Sequence, residues 1–245
     1  MRRIARAGLA SLVLLLPLSV HAQDTGPAPA TAAAPAPAPV PATYVYVALT
    51  TSQGVITLAL DKTHAPLTVA NFLKYVDTKR LDGTTFYRAM HLDWGTTPTG
   101  LLQGGLQGLP GKVLPPVAHE PTNVTGLSHT SGTISMARYA PGTATADFTI
   151  MIGDVVTLDA NPAATDPDTR AGFAAFGHVV AGMDVVKAIW NAPLSATKGE
   201  GVMRGQMLEP PVKILTARRT SAPPTAAVPA SASVPAPASA PNAAP

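Results

Sequence analysis

The sequence predicts an all-β barrel capped by helices, formed by one domain over residues 43–220. Short runs rich in β-branched and aromatic residues recur along this stretch, and turn residues separate them. Only two segments have the apolar periodicity of a helix, and strands do not alternate with helices as they would in a parallel α/β sheet. A stretch of this length is ample for one hydrophobic core.

The first two predicted strands form a hairpin. Residues 44–49 and 55–60 are β-rich runs, and the sequence Thr-Ser-Gln-Gly lies between them at residues 51–54. Gly54 can adopt the positive φ that a tight turn requires. We therefore expect these two strands to be antiparallel neighbours.

Residues 65–80 have helical rather than strand periodicity. Their apolar side chains recur at i, i+3, i+4 and i+7, at Val69, Phe72, Leu73 and Val76. Pro66 falls in the first turn, where a missing N–H removes no helical hydrogen bond. The pattern predicts an amphipathic helix, which ends before the Asp-Gly pair at residues 82–83.

The rest of the domain is predicted to be mostly strands. A strand is expected at residues 85–89, and a short helix at residues 182–190. Residues 91–121 are rich in Gly and Pro, and this pattern predicts a long functional loop. The other predicted strands are residues 132–137, 148–152, 174–180 and 212–217.

Residues 1–22 are expected to be a secretory signal peptide. Three arginines precede an apolar run from Ala7 to Val20, which leads into a small-x-small pattern that predicts cleavage after Ala22. The run is shorter than the roughly 20 residues of a comfortable membrane span. We therefore expect a periplasmic protein without a membrane span after cleavage; an uncleaved anchor is the alternative.

Segments rich in Ala and Pro flank the predicted domain at residues 23–42 and 221–245. Such sequences favour extended, partly polyproline II conformations and cannot bury a core, so a disordered linker and a disordered tail are expected. We interpret both segments as spacers, with partner binding or display from the envelope as the alternative.

Charge and cysteine content exclude several classes of function. The formal net charge is +3, and removal of the three N-terminal arginines leaves 14 basic and 14 acidic residues. A mature chain without net charge lacks the electrostatic footprint of a nucleic-acid-binding protein. The chain has no cysteine, so neither disulfides nor thiol chemistry are available.

The usual motifs of hydrolases, metalloenzymes and nucleotide-binding proteins are also missing from the sequence. It contains no Gly-x-Ser-x-Gly and no His-Glu-x-x-His, and its histidines lack the spacing of metal ligands. Residues 108–112 resemble a phosphate-binding loop, but Val113 follows the lysine where Ser or Thr is required. No metal or cofactor is therefore expected.

Seven short fragments occur in an order that is typical of one family. They are Ala-Pro-Leu-Thr-Val-Ala-Asn-Phe-Leu (65–73), Phe-Tyr-Arg (86–88), Leu-Gln-Gly-Gly (102–105), Gly-Thr-Ile-Ser-Met-Ala (132–137), Asp-Phe-Thr-Ile (147–150), Phe-Gly-His-Val-Val (176–180) and Gly-Met-Asp-Val-Val (182–186). In this order and spacing they resemble the cyclophilin-type peptidyl-prolyl cis-trans isomerases, particularly secreted bacterial members. The resemblance covers roughly residues 44–217.

The resemblance implies a closed eight-stranded antiparallel barrel capped by two α-helices. It also implies that the chain binds proline-containing polypeptides in a surface groove, without a cofactor, and we expect a monomer. Arg88 aligns with the family's catalytic arginine, and Gln103 aligns with the groove glutamine that contacts the substrate backbone and that arginine. Ala137 aligns with a small residue that forms the floor of the groove.

Several groove positions depart from the family's pattern. Gly100 and Leu101 occupy the positions of the Phe and Met that line the proline pocket. Thr149 replaces the second pocket aromatic, and Asp147 replaces a neighbouring Gln. The loss of two aromatic walls is expected to weaken binding of the prolyl ring.

Three further candidate substrate-binding residues complete the groove. Arg138 stands where the family has Asn, at a position used through its backbone; Leu158 follows Thr157 where many members have Trp-Leu; and Phe173 replaces His or Tyr. The segment between Arg88 and Gln103 is longer than usual, so Trp94 or Leu92 is a candidate replacement for the missing pocket aromatic.

Two functions therefore remain open at the level of the sequence. The first is an isomerase that accelerates X-Pro isomerisation during the folding of exported proteins, which needs no ATP. The second is a cyclophilin-like module of low or no activity that binds proline-containing segments in the envelope. The retained Arg88 and Gln103 favour the enzyme, whereas Gly100, Asp147 and Thr149 favour the binding module.

Overall fold

Eight antiparallel strands close into a barrel in the computed structural model, which describes residues 43–92, 96–107, 109 and 111–223. Around the barrel the strands follow the order β1-β2-β7-β5-β6-β4-β3-β8, and β8 pairs with β1 to close it. The strands are β1 Tyr44–Thr51, β2 Gly54–Asp61, β3 Thr84–Leu92, β4 Thr99–Gly105, β5 Thr133–Met136, β6 Phe148–Ile152, β7 Ala175–Ala181 and β8 Met207–Thr220. The predicted fold class is confirmed.

Four α-helices accompany the barrel in the described part of the chain. They are α1 Pro66–Asp77, α2 Thr122–Thr125, α3 Pro167–Ala171 and α4 Met183–Trp190. The two longer ones, α1 and α4, are the two helices that the sequence predicts. None of the described helices has the length and apolar character needed to cross a membrane.

Aromatic side chains fill the barrel and fix α1 against it. Phe72 of α1 meets Phe148 of β6 edge-to-face, with 5.5 Å between ring centroids, and lies 5.4 Å from the ring of Phe176 on β7. Phe86 of β3 contacts Phe148 in the same edge-to-face manner. Aromatic pairs in this geometry stabilise the core beyond the free energy of their area burial. The core therefore links α1 to strands on several sides of the barrel.

The first turn of α1 is capped by a distant carboxylate. Glu120 accepts hydrogen bonds from the backbone N–H of Leu67 (3.1 Å) and of Thr68 (2.7 Å), and from the hydroxyl of Thr68 (2.6 Å). Helices leave their first N–H groups without internal partners, and a negative charge there also interacts favourably with the helix dipole. Glu120 thus supplies the cap that Ala65 cannot provide.

One sequence-based prediction is wrong. Residues 91–121 are not a continuous loop, because β4 (Thr99–Gly105) lies within them and pairs with both β3 and β6. Glycines near both ends of β4 lower its strand propensity, so the sequence alone does not indicate a strand there. Barrel closure nevertheless requires a strand between β3 and β6, and this requirement overrides the local preference.

The last strand is longer than predicted. β8 begins at Met207 rather than at residue 212. The sequence does not indicate the first half of this strand, because Pro210 and Pro211 are unfavourable in a strand. Its pairing with β3 shifts register between Phe86 and Arg88, so the two prolines fall where the ladder is interrupted and no N–H is needed. The expected signal peptide and linker, and residues 224–245 of the expected tail, lie outside the described residues.

Removal of the α1 cap should destabilise the fold without touching the groove. Glu120→Ala leaves the N–H groups of Leu67 and Thr68 without acceptors. We expect a loss of about 1–2 kcal/mol in the free energy of unfolding, which corresponds to a melting temperature lower by about 3–6 °C. Thermal unfolding followed by circular dichroism measures it. Glu200→Ala is the control, since Glu200 is exposed; equal melting temperatures for the two variants would contradict the cap.

Candidate active site

A row of polar side chains crosses four neighbouring strands on the outside of the barrel. Arg88 on β3 pairs with Gln103 on β4, Gln103 pairs with Thr149 on β6, and Thr149 pairs with Ser135 on β5. Successive residues of a strand face opposite sides of the sheet. Since the intervening residues, such as Leu102, fill the core, this row faces away from it.

The Arg88 guanidinium is held by two glutamines and a methionine. Its Nε donates to Gln206 Oε1 (2.8 Å), its Nη1 donates to Gln103 Oε1 (2.8 Å), and its Nη2 contacts Met90 Sδ (3.5 Å). Burial lowers the pKa of Arg88, but a guanidinium remains protonated in proteins. Of its five N–H groups, these contacts use three. The remaining two N–H groups have no partner in the part of the chain that the structure describes.

Gln206 was not anticipated from the sequence. It lies 118 positions from Arg88 and directly precedes β8. Only the pairing of β8 with β3 brings the two side chains together. No local pattern around residue 206 signals this contact.

A β-bulge places Tyr87 beside Arg88 in the same row. Phe86 pairs with Gly104 and Arg88 pairs with Gln103, so Tyr87 is the extra residue of β3. Gln103 contacts both neighbours, because its Nε2 donates to the Tyr87 hydroxyl (2.7 Å) while its Oε1 accepts from Arg88. Tyr87, which sequence reasoning missed, is thus part of the site.

Asp147 continues this chain of hydrogen bonds. The Tyr87 hydroxyl donates to Asp147 Oδ1 (3.2 Å), which also accepts from the backbone N–H of Gln107 (2.9 Å). Burial raises the pKa of the Asp147 carboxyl and that of the Tyr87 phenol. The structure therefore directs the Asp147 side chain towards Tyr87 rather than leaving it free for a ligand.

An apolar cluster lies next to the polar row. Met90, Leu101 and Met151 are cross-strand neighbours on β3, β4 and β6, two residue pairs further along from Arg88, Gln103 and Thr149 and therefore on the same face of the sheet. Leu101 and Met151 are buried with Val155, and partly buried Met90, Leu92 and Leu158 pack against them. This aliphatic cluster lies where the family resemblance places the proline pocket. Leu92, one of the two sequence-based candidates for the missing pocket aromatic, packs against it, whereas Trp94 lies outside the described residues.

Gly100 is not a wall of this pocket. A Cβ atom at residue 100 would lie 1.9 Å from the Met90 carbonyl oxygen and 3.2 Å from the Trp190 ring. The Trp190 indole N–H donates to the same carbonyl (3.0 Å), and its ring stacks on His91 with 3.8 Å between centroids. Glycine is therefore required here by the packing of the β3–β4 hairpin on α4.

The Arg138 side chain is fully engaged inside the protein. Its guanidinium donates to the carbonyl oxygens of Gly172, Tyr139 and Asp168 and to the Asp168 carboxylate. It also lies 4.5 Å above the Phe173 ring, in cation–π contact. These bonds account for all five N–H groups. Any contact between substrate and residue 138 must therefore use the backbone.

The other predicted groove residues lie around the same surface. Ala137 directly follows β5, and its N–H donates to the Asp147 carbonyl (2.9 Å). The Phe173 N–H donates to the Leu158 carbonyl (2.9 Å), so these two positions are joined by the backbone. Tyr139, two residues after Ala137, has 90% of its surface exposed and is a candidate contact that sequence reasoning missed.

Ser135, the last residue of the polar row, belongs to a buried hydrogen-bond network around His129. His129 bonds to Ser135 Oγ through Nε2 (2.8 Å) and to the Asp159 carboxylate through Nδ1, and Ser128 donates to the same carboxylate. The arrangement resembles a catalytic triad. However, His129 is 0% and Ser135 is 1% exposed, so no substrate can reach the hydroxyl. The network instead connects the segment before β5 to residue 159.

The geometry suits recognition of a peptide bond flanked by an apolar ring. A ring can rest on the aliphatic cluster while the amide that carries it lies above Gln103 and Arg88. Both side chains reach these positions through neighbouring strands rather than through flexible loops. Among the described residues, no cluster of three or more His, Asp or Glu is arranged to hold a metal ion.

Comparisons with known proteins agree with this geometry. The family model "Cyclophilin type peptidyl-prolyl cis-trans isomerase/CLD" matches residues 46–219, from β1 to β8. A peptidyl-prolyl cis-trans isomerase of Acinetobacter baylyi is 35% identical over 176 residues, covering 70% of this chain and 84% of that protein. Peptidyl-prolyl cis-trans isomerase A of Dickeya dadantii is 40% identical over 147 residues, covering 58% and 70%.

The fold comparison gives the same result. A crystal structure of a Cryptosporidium parvum cyclophilin-type isomerase aligns with a TM-score of 0.55 at 18% identity, over 74% of this chain and 100% of that one. The resemblance seen in the seven sequence fragments is confirmed. The chain belongs to the cyclophilin-type peptidyl-prolyl cis-trans isomerases.

Proposed function

We propose that this isomerase acts on X-Pro bonds of exported polypeptides, at the groove formed by Arg88, Gln103 and the aliphatic cluster beside them. The observation that carries the proposal is the half-buried Arg88 guanidinium. It is held by Gln103 and Gln206, and next to an apolar surface it has two N–H groups that no described residue accepts from.

The reaction requires only modest stabilisation of a twisted amide. Rotation about a peptide bond has a barrier of about 18–20 kcal/mol because it breaks amide resonance. A thousandfold acceleration corresponds to about 4 kcal/mol of differential transition-state stabilisation. No bond is made or broken in this reaction, so neither a nucleophile nor a metal is required.

Arg88 supplies the differential interaction. As the C–N bond twists, the prolyl nitrogen regains its lone pair and becomes a hydrogen-bond acceptor. A guanidinium N–H directed at that nitrogen binds the twisted amide more tightly than the planar one, and this difference lowers the barrier. Gln103 and Gln206 hold the guanidinium in place, so little reorganisation accompanies the twist.

The aliphatic cluster determines how tightly the prolyl ring is held. Met90, Leu92 and Leu158, the partly exposed members of the cluster, offer apolar contact, but Thr149 places a hydroxyl where the family's pattern has an aromatic ring. An aromatic wall adds about 0.5–1.5 kcal/mol to a ring contact beyond area burial. We therefore expect weak binding of short peptides and a high KM.

The exported setting rests on sequence features. The basic and apolar N-terminus with its small-x-small ending supports secretion into the periplasm. A chain without cysteine is unaffected by an oxidising compartment, and an isomerase needs no ATP. Slow X-Pro isomerisation limits folding of newly exported chains, because uncatalysed exchange takes tens to hundreds of seconds.

A binding module with little turnover is the second candidate. Thr149 in place of an aromatic and the internal engagement of Asp147 and Arg138 favour it, because they reduce the number of side chains that can contact a substrate. Exchange measurements at high protein concentration distinguish the two functions. Binding of a proline-containing peptide without faster exchange identifies the binding module.

Loss of Arg88 should abolish most of the acceleration. Arg88→Ala removes the donor directed at the prolyl nitrogen, and we expect exchange to slow by about 10²–10³-fold at unchanged melting temperature. NMR exchange spectroscopy on an Ala-Pro peptide measures the rate. Arg219→Ala is the control, since Arg219 pairs with Asp77 at the other end of β8. Equal rates in wild type and Arg88→Ala would refute the proposed site.

An aromatic ring at residue 149 should improve substrate binding. Thr149→Phe extends an apolar wall beside Leu101, and we expect KM for an Ala-Pro peptide to fall by about two- to tenfold with kcat little changed. Thr149→Val is the control that removes the hydroxyl without adding a ring. If KM falls equally in both variants, loss of the hydroxyl rather than the ring is the cause.

A further inference from the structure

We propose that Tyr87 and Asp147 are positioning residues that set the orientation of the Gln103 amide and, through it, of the Arg88 guanidinium. The inference rests on the proposed role of Arg88. It concerns four side chains that are joined by consecutive hydrogen bonds. Arg88 on β3 bonds to Gln103 on β4, Gln103 bonds to Tyr87 on β3, and Tyr87 bonds to Asp147, which precedes β6.

The bulge in β3 makes this arrangement possible. In a regular strand, Tyr87 and Arg88 would face opposite sides of the sheet. Because Tyr87 is the extra residue between two paired positions, both side chains flank Gln103 on the outer face. A β-bulge changes the direction of a side chain and leaves one residue of the strand without a partner in the ladder. Here it brings a phenol to the amide that contacts Arg88.

The hydrogen-bond directions along the chain depend on one another. Arg88 can only donate, so Gln103 must turn Oε1 towards it and Nε2 towards Tyr87. The Tyr87 oxygen then accepts from Nε2 and directs its single proton to Asp147 Oδ1. A carboxylate can only accept, so the donor of this last bond must be Tyr87. Only this arrangement satisfies all four groups.

Without the carboxylate the arrangement becomes ambiguous. A Tyr87 hydroxyl that lacks an acceptor at Asp147 is free to donate to Gln103 Oε1 instead. The amide would then rotate by half a turn and present its N–H groups to the guanidinium, where two donors face each other. Arg88 would lose one of the two side-chain oxygens that hold it, because only the bond to Gln206 remains.

The surroundings of Asp147 keep its carboxylate in place. Oδ1 also accepts from the Gln107 N–H, and Gly105 packs so closely that a Cβ there would lie 2.5 Å from Oδ1. The groups that face it are the Tyr87 hydroxyl on β3, the backbone N–H groups of Leu106 and Gln107 after β4, and the Tyr75 phenol on α1. Among the described residues, no basic side chain bonds to this carboxylate.

Asp147 should also make the series of hydrogen bonds, and with it the activity, depend on pH. Burial raises the pKa of its carboxyl above the usual value, and hydrogen bonds from Gln107 and Tyr87 partly offset the rise. Below this raised pKa the carboxyl group is protonated and can donate a hydrogen bond to Tyr87, which reverses the donor and acceptor of that bond. Activity should therefore be complete above the raised pKa and should fall as the pH decreases through it.

Kinetics of three variants test the inference. Tyr87→Phe and Asp147→Leu should each lower kcat roughly five- to tenfold, as expected for loss of one orienting hydrogen bond, with KM little changed. Asp147→Asn keeps an acceptor oxygen that does not titrate. It should retain kcat within about threefold at neutral pH and should lose the acid-side fall of the wild type. Retention of that fall in Asp147→Asn would overturn the inference.

Tyr75→Phe is the matched control. Its hydroxyl also lies near Asp147 but accepts from the Leu114 N–H (2.8 Å), outside the chain to Gln103. We expect a lower melting temperature with unchanged kcat and pH profile. If Tyr87→Phe behaves in the same way, its role is structural only and the inference is wrong.

A spectroscopic measurement separates the inference from the proposed site. The side-chain amide resonances of Gln103 should shift in Tyr87→Phe and Asp147→Leu and remain near their wild-type positions in Asp147→Asn. If Arg88→Ala leaves exchange unchanged, the proposed site fails. If Arg88→Ala abolishes exchange while Tyr87→Phe alters neither kcat nor the Gln103 resonances, only the positioning role fails.

Discussion

The ladder between β3 and β4, with its single extra residue, is the constraint on which the groove depends. It places Arg88 and Gln103 opposite each other and turns Tyr87 to the same face. Two residue pairs further along, the same ladder brings Met90 to Leu101 and so creates the apolar surface. The polar and apolar halves of the groove thus lie on the same outer face of one hairpin, two residue pairs apart, and a slip of one residue would turn both towards the core.

Two arginines of this region, the half-buried Arg88 and the buried side chain of Arg138, differ in how many of their N–H groups have a protein acceptor. Arg138 has a partner for each of its N–H groups and a ring beneath its plane. Arg88 is held by three contacts, and two of its N–H groups have no acceptor among the described residues. The same type of side chain therefore stabilises the fold at residue 138, and at residue 88 it has the donors that the proposed role in catalysis requires.

Much of the fold was predictable from the sequence because periodicity and turn residues are local signals. The first hairpin, α1 and β6 follow directly from such patterns, and the family resemblance supplied Arg88 and Gln103. β4 was missed because its glycines weaken strand propensity and only barrel closure reveals it. The contact of Gln206 with Arg88 could not be predicted, because it depends on the pairing of β8 with β3. The hydrogen bond between Tyr87 and Asp147 could not be predicted either, because it depends on a bulge rather than on spacing along the sequence.

The five bonds of Arg138 have a mechanical consequence. Four of them fasten the turn after β5 to Asp168 of α3 and to Gly172. The segment with α3 cannot swing away from the barrel unless most of these bonds break together. The rim that carries Tyr139 and the segment that carries Phe173 are therefore coupled, because displacement of either one strains the bonds that hold the other.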